Sequence, residues 1–177
     1  LNTTNYDTLT GLVISKTAGS STISYTYDAW GRKLTLTNKP DPVTTDTTTW
    51  SYMPAGLIGA GQVSSVTSTK SSYFYGYGGQ GETSNQPTSL NVSGVGTYTA
   101  TYNNSGQLQE QTAPGGISQK FDYDTAGRIK TMSYLGTVDN AGVSVTVNWM
   151  DFTRSYDAQN RIAIETTPGV FPGLQND

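Results

Sequence analysis

The stretch FDYDTAGRI, residues 121–129, places two carboxylates and a guanidinium, Asp122, Asp124 and Arg128, within one short run. A carboxylate pair held in unequal surroundings is the equipment of general acid–base or glycosidic chemistry. The same side chains in a tight turn do something else. There the Asp accepts backbone N–H groups, Gly127 supplies a positive φ, and Arg128 pairs with the acid of its own or a neighbouring turn. Recurrence separates the two readings: a turn device appears wherever the chain turns, whereas a catalytic constellation does not repeat at every bend.

The stretch recurs. YDAWGRKL offers Tyr27, Asp28, Gly31, Arg32 and Leu34, and YDAQNRI offers Tyr156, Asp157, Asn160 and Arg161. Asn160 stands where the others have Gly, and Asn is the residue that best tolerates φ > 0 after Gly. YNNSGQL keeps Tyr102, Gly106 and Leu108, with Asn103 for Asp and Gln107 for Arg; YMPAGLI keeps Tyr52, Gly56 and Ile58; YGGQGET keeps Tyr77 and Gly81; YDTLTGLV has one extra residue before Gly11. Lead tyrosines therefore fall at Tyr6, Tyr27, Tyr52, Tyr77, Tyr102, Tyr123 and Tyr156, three consecutive intervals among them being 25 residues. Such a period marks a repeat architecture. Asp124 recurs as Asp28 and Asp157 while Asp122 has no counterpart, so the acids read as turn residues and the role of Asp122 stays open.

The elements that position these turns are strands. Ile23, Tyr25 and Tyr27 alternate with Thr22, Ser24 and Thr26, and Phe121 and Tyr123 behave likewise. Thr and Ser exceed a quarter of the 177 residues, with 20 Gly and 12 Tyr and only 13% charged residues. That composition suits pleated surface and tight turns and makes the chain all-β. VSVTVNW (143–149) reads as a strand, GTVDNAG before it as a loop or hairpin tip at Asp139-Asn140, and together they suggest an elongated hairpin. KPDPVTTDTTT (39–49) reads as an extended surface loop. No stretch resembles an interdomain linker, so residues 1–177 read as a single array of about seven hairpins, a segment of a longer repeat protein. At roughly 10 Å per hairpin, seven span about 70 Å, and the end strands would be edges that seek pairing with further repeats or another chain.

Several functions are excluded or weakened. A net charge of −3 offers no basic stripe for nucleic acid, and no apolar run is long enough for a membrane span. With no Cys and no His, disulfides, thiolate or imidazole metal sites and a His-based nucleophilic triad are absent. Oxygen-only Ca²⁺ sites at 139–142 or 41–46 lack the EF-hand pattern, so no cofactor or metal is expected. Asn2, Asn91 and Asn103 stand in N-x-S/T sequons. YFYGYGG (73–79) is so aromatic that Tyr73, Tyr75 and Tyr77 form either an interior face or a glycan-stacking surface.

YTYDAWGRKLTLT, FDYDTAGRIKTMSY and RSYDAQNRIAIET resemble the YD repeat of the Rhs family: bacterial Rhs toxin shells, insecticidal toxin-complex cocoons and the teneurin YD shell. The resemblance runs from Tyr6 to about Glu165 and is most specific at Tyr27, Tyr123 and Tyr156. It implies hairpins wound into one continuous antiparallel sheet spiral, a YD-repeat shell or solenoid segment. It also implies a non-catalytic structural protein, secreted or on the bacterial cell surface, whose wall or filament encloses cargo such as a toxin domain. Its partners would be further repeats of the same chain or neighbouring copies. Self-cleaving Rhs cores end in an Asp-Pro-Gly-type region, and TTPGVFPGLQND (166–177) has Pro168 and Pro172, neither after an Asp. The alternative is an adhesin or carbohydrate-binding module acting through 73–79 or 139–149; an enzyme acting on polysaccharide would need a carboxylate pair facing one groove. A structural wall requires the lead tyrosines to lie in register along the sheet.

Overall fold

The computed structural model describes residues 2–78, 85–140 and 142–167. The Gly81 turn expected after Tyr77, and the C-terminal Pro168 and Pro172, lie outside the described residues. The chain is all-β: among the described residues fourteen antiparallel strands form one open sheet in which each strand pairs with its neighbours in sequence. The chain divides into two compact units, Leu1–Gly76 with Leu90–Gly94, and Tyr77–Ser89 with Val95–Asp177. The first holds β1 (Asn2–Tyr6), β2 (Val13–Ala18), β3 (Ser21–Tyr27), β4 (Lys33–Lys39), β5 (Asp46–Tyr52) and β6 (Val63–Thr67). The second holds β9 (Gly96–Tyr102), β10 (Leu108–Ala113), β11 (Ile117–Tyr123), β12 (Ile129–Asn140), β13 (Val143–Tyr156) and β14 (Ile162–Thr166). The division passes through β7 (Ser72–Gly78) and β8 (Gln86–Val92).

The alternation of Thr, Tyr and aliphatic residues gives each strand two usable faces, and neither is sealed. Among the described residues no apolar side chain is fully buried, as expected where each unit is a single layer with no second layer against it. Cross-strand pairs hold the layer instead. Thr26 and Thr35 hydroxyls lie 2.7 Å apart and those of Thr37 and Thr47 3.2 Å apart, while the Lys33 ammonium lies 5.3 Å from the Tyr25 ring and 5.1 Å from the Trp50 ring. Each such pair contributes a few tenths to about 1 kcal/mol.

Two regularities fix register. Every described hairpin that carries a lead tyrosine has a β-bulge beside it. Thr26 faces Thr35 but Tyr27 faces Lys33; Asp122 faces Thr131 but Tyr123 faces Ile129. The bulge explains why Ile129 and Met132 look out of phase in the sequence, because the extra residue shifts the alternation and returns Met132 opposite Phe121. The second regularity lies between hairpins. Ser15 pairs Ser24, Thr35 pairs Thr49, Glu110 pairs Lys120 and Thr131 pairs Thr153. In each case the residue two beyond the lead tyrosine's partner meets the residue three before the next lead tyrosine.

Two expectations need correction. The loop expected over 39–49 spans only 40–45, because Lys39 ends β4 and Thr47, Thr48 and Thr49 pair in β5; Asp41 stabilises the short remainder by accepting the Val43 and Thr44 N–H groups. The expected tip at Asp139-Asn140 is strand as well: Asp139 pairs Ser144 and Asn140 pairs Val143, so cross-strand pairing carries the elongated hairpin two residues beyond the apparent loop. At its base Trp149 lies over Gly136, where any Cβ would collide with the indole. Gly is there because the ring occupies its side-chain space.

Candidate functional site

The recurring site is the lead tyrosine with the turn behind it. In the turn 28–32 the Asp28 N–H donates to the Arg32 carbonyl at 2.9 Å and the Gly31 N–H to the Asp28 carbonyl at 3.0 Å. Gly31 sits at φ 79, which L side chains rarely adopt. Asp28 Oδ1 accepts the Trp30 and Arg32 N–H groups, and its Oδ2 accepts Arg32 Nε at 2.6 Å. The turns 124–128 and 157–161 repeat this pattern with Asp124, Gly127 and Arg128 and with Asp157, Asn160 and Arg161. Asn160 is the one described non-Gly residue with positive φ, at 63. In the turn 103–107 the amides replace the ions: Asn103 Nδ2 donates to Gln107 Oε1 at 3.0 Å.

These hydrogen bonds set the electrostatics. The Arg128 guanidinium and backbone N–H hold the Asp124 carboxyl below its ordinary value, against a smaller opposing effect of burial. At Asp28 burial pushes upward, and the Arg32 and Trp30 donors together outweigh it, so the group is again lowered. The Arg161 N–H lowers Asp157. Carboxylates held ionised by donors of their own turn are poor proton donors. Asp122 lies on β11 opposite Thr131. Among the described residues no group of three or more metal-ligating side chains converges.

The tyrosines reach outward from their own turns. Tyr27 Oη donates to the Val13 carbonyl at 2.8 Å, Tyr52 to Lys33 at 2.7 Å, Tyr102 to Pro87 at 2.8 Å, Tyr123 to Leu108 at 2.7 Å and Tyr156 to Ile129 at 2.7 Å. Every acceptor is the first residue after the turn of the preceding hairpin, or in β8 its equivalent. Burial pushes the Tyr123 phenol up, keeping it a donor. The residue just before four of the five acceptors completes the link: Arg32 lies 4.1 Å over Tyr52 and donates to the Gly61 carbonyl at 3.1 Å, and Arg128 lies 4.4 Å over Tyr156 and donates to Asn160 Oδ1 at 2.7 Å. Gln107 donates to the Gly127 carbonyl and Gln86 to that of Gly106, both at 2.7 Å.

Motif matching sets Gln107 in the arginine's place but misses Gln86 as a linking residue, although both present an N–H donor at the same reach. It also selects the wrong glycine after Tyr52. Gly56 is interior to a longer loop, whereas the Gly61 N–H donates to the Met53 carbonyl at 3.0 Å and the Met53 N–H to the Gln62 carbonyl at 2.8 Å. Tyr73 and Tyr75 are half-buried on one face of β7, and Phe74 on the other face is 47% exposed; Tyr77 is half-buried too. Among the described residues the most exposed ring is Trp30, 81% exposed at the tip of its turn.

No family model matches the chain, and no curated protein matches it in sequence. Solved structures do. The crystal structure of TcdB2-TccC3-TEV matches at TM-score 0.69 and 11% identity, and that of TcdB2-TccC3 at 0.65 and 11%. The Photorhabdus luminescens Tc holotoxin pore matches at 0.64 and 11%. Each covers 95% of this chain, and this chain spans 9% of theirs. At such identities the likeness is one of fold.

Proposed function

We propose that the chain is a non-catalytic wall segment of an Rhs/YD-repeat protein, a single array of hairpins that builds part of a β-sheet shell enclosing cargo such as a toxin domain. The observation that carries the reading is the tyrosine-to-carbonyl ladder. Five lead tyrosines spend their hydroxyls on the previous hairpin, which builds wall. Tyr27, Asp28, Gly31 and Arg32, their counterparts from Tyr123 to Arg128, and those from Tyr156 to Arg161 act as structural turn residues. Likeness of fold to TcdB2-TccC3 over 95% of the chain supports the reading. Partners are further repeats of the same chain, neighbouring copies and the enclosed cargo. The location is secreted or cell-surface; among the described residues no helix is long and apolar enough to cross a membrane.

Protease protection in the full reading frame tests this. A segment that the wall encloses should survive digestion in the intact protein and be degraded once Tyr52→Ala and Tyr123→Ala loosen the hairpins. A segment cleaved equally in both proteins removes the enclosing role. A second reading, adhesion to a surface glycan, draws on the exposed Trp30 more than on Tyr73, Tyr75 or Tyr77. Loss of glycan-array binding in a folded Trp30→Ala variant would favour it.

A further inference from the structure

One position of the short turns is free of the frame. It is the residue whose N–H donates to the side chain of the turn's Asp or Asn: Leu9, Trp30, Ser105, Ala126 and Gln159. All five are exposed, and Ser, Ala and Gln show that the frame asks nothing of this side chain. Yet Leu9 is 94% and Trp30 81% exposed, and in the loop 53–62 of the next hairpin Leu57 and Ile58 are 56% and 43% exposed. The three turns adjoin: a Cβ on Gly31 would stand 3.6 Å from Leu12, and Arg32 donates to the Gly61 carbonyl. One edge of the first unit therefore carries an apolar rim. Trp30 stands in its middle with a turn of this chain on either side, so its exposure is not that of an end awaiting a further repeat. The ring is held in place, with the Arg32 guanidinium 4.8 Å from its centre. Covering that arginine does not account for it, because Arg32 is 28% exposed beside Trp30 and Arg128 is 31% exposed beside Ala126.

We propose that this rim is a membrane-contact edge, placing Leu9, Trp30, Leu57 and Ile58 among the headgroups of a zwitterionic bilayer. Area and charge select the partner. At about 150–250 Å² for an indole and less for each aliphatic side chain, the rim offers on the order of 500 Å², below the roughly 800 Å² a side that a stable protein interface buries. A bilayer needs no matching shape and accepts protruding tips. An indole, apolar in body with one N–H, is a side chain that settles at headgroup level. Arg32 is the one cation of these turns and is paired with Asp28, which leaves the negative charge of Asp7. The attraction is therefore apolar, and anionic lipid adds nothing to it. The proposal goes beyond the wall reading and holds whether or not the wall encloses cargo.

Flotation of the intact protein with phosphatidylcholine vesicles tests it. Binding that salt leaves unchanged is expected, weakened about tenfold by Trp30→Ala and about threefold by Leu9→Ser, the scale of an indole and a leucine half withdrawn from water. Both variants should fold, since Ala126 and Ser105 stand at the same position in intact turns. Bromine-labelled lipid should quench part of the tryptophan emission, and Trp30→Leu should still bind while losing that part. Absence of vesicle binding overturns the proposal, as does binding indifferent to both variants. Binding to anionic vesicles alone that salt reverses also overturns it, as does quenching that survives undiminished in Trp30→Leu. Glycan-array binding lost in Trp30→Ala, with no vesicle binding, would assign the ring to adhesion and reject the membrane edge.

Discussion

The turn 28–32 and the loop 53–62 are closed by the same two backbone hydrogen bonds, one made by five residues and the other by ten. The short turn fills its frame with an Asp28–Arg32 ion pair and two N–H groups donated to Asp28. The long loop has Met53 in the acid's place and Gln62 in the arginine's, and closes through internal bonds such as that from Ala60 N–H to the Leu57 carbonyl at 3.0 Å. Both are led by a tyrosine whose hydroxyl reaches the preceding hairpin. The difference shows what the architecture holds constant: the frame and the tyrosine link are kept, and the filling is exchangeable.

The largest expected effect tests the constant part. Tyr52→Ala and Tyr123→Ala should each lower local stability by about 2 kcal/mol, roughly half the cost of deleting a fully buried ring. The Phe variants should cost about 1 kcal/mol for the lost hydroxyl bond. Amide hydrogen exchange read hairpin by hairpin gives both values. Equal losses at the two sites sharpen the comparison. A loss at Tyr52 of less than a third of that at Tyr123 would break it, by showing that the loop stands without its ladder contact.

The next effect separates frame from filling within the loop. Gly61 and Gly56 both have positive φ, 80 and 86. Gly61→Ala forces an L side chain into the closing position and should cost about 1–2 kcal/mol. Gly56 has open space around it and no frame bond to protect, so Gly56→Ala should cost less than about 1 kcal/mol as the loop readjusts. Urea unfolding of the two variants decides the order, and a reversed order would make Gly56 the frame residue.

The all-β class, the hairpins and the best turns were legible because each has a local cause. Tyr-Asp-x-x-Gly-Arg encodes a turn through Asx bonding and positive φ within six residues, and alternation encodes the strands. What was not legible depends on partners distant in sequence. The bulge beside each lead tyrosine is a property of two strands, so the sequence shows only a phase slip, as at Met132. Gln86 matches no motif because its role is defined by the Gly106 carbonyl twenty residues on. Gly61 was hidden because insertion moved the closing residue five positions beyond the glycine that matched the spacing. Trp149 reads as one more strand aromatic until its ring is found over Gly136.

The smallest effect is an acid response confined to one of the two turns. Asp28 and Asp124 titrate below the ordinary carboxylate value in the folded chain. A lowered folded pKa means that the native state binds its proton less readily than the unfolded one. The stabilisation is therefore present above the unfolded value, near pH 4, and is lost as pH falls through the lowered one. Both acids are ringed by donors that remain when the carboxylate is neutralised, so the turns should loosen without opening. Amide NMR between pH 5 and pH 2 should show the Gly31 and Gly127 N–H signals shifting together with their carboxylates. The Ala60 N–H bonds to the Leu57 carbonyl and its loop carries no titrating side chain, so its signal should hold still. Movement of the Ala60 signal over the same window would mean that acid weakens the sheet as a whole, and the ion pairs would lose their claim to be local filling.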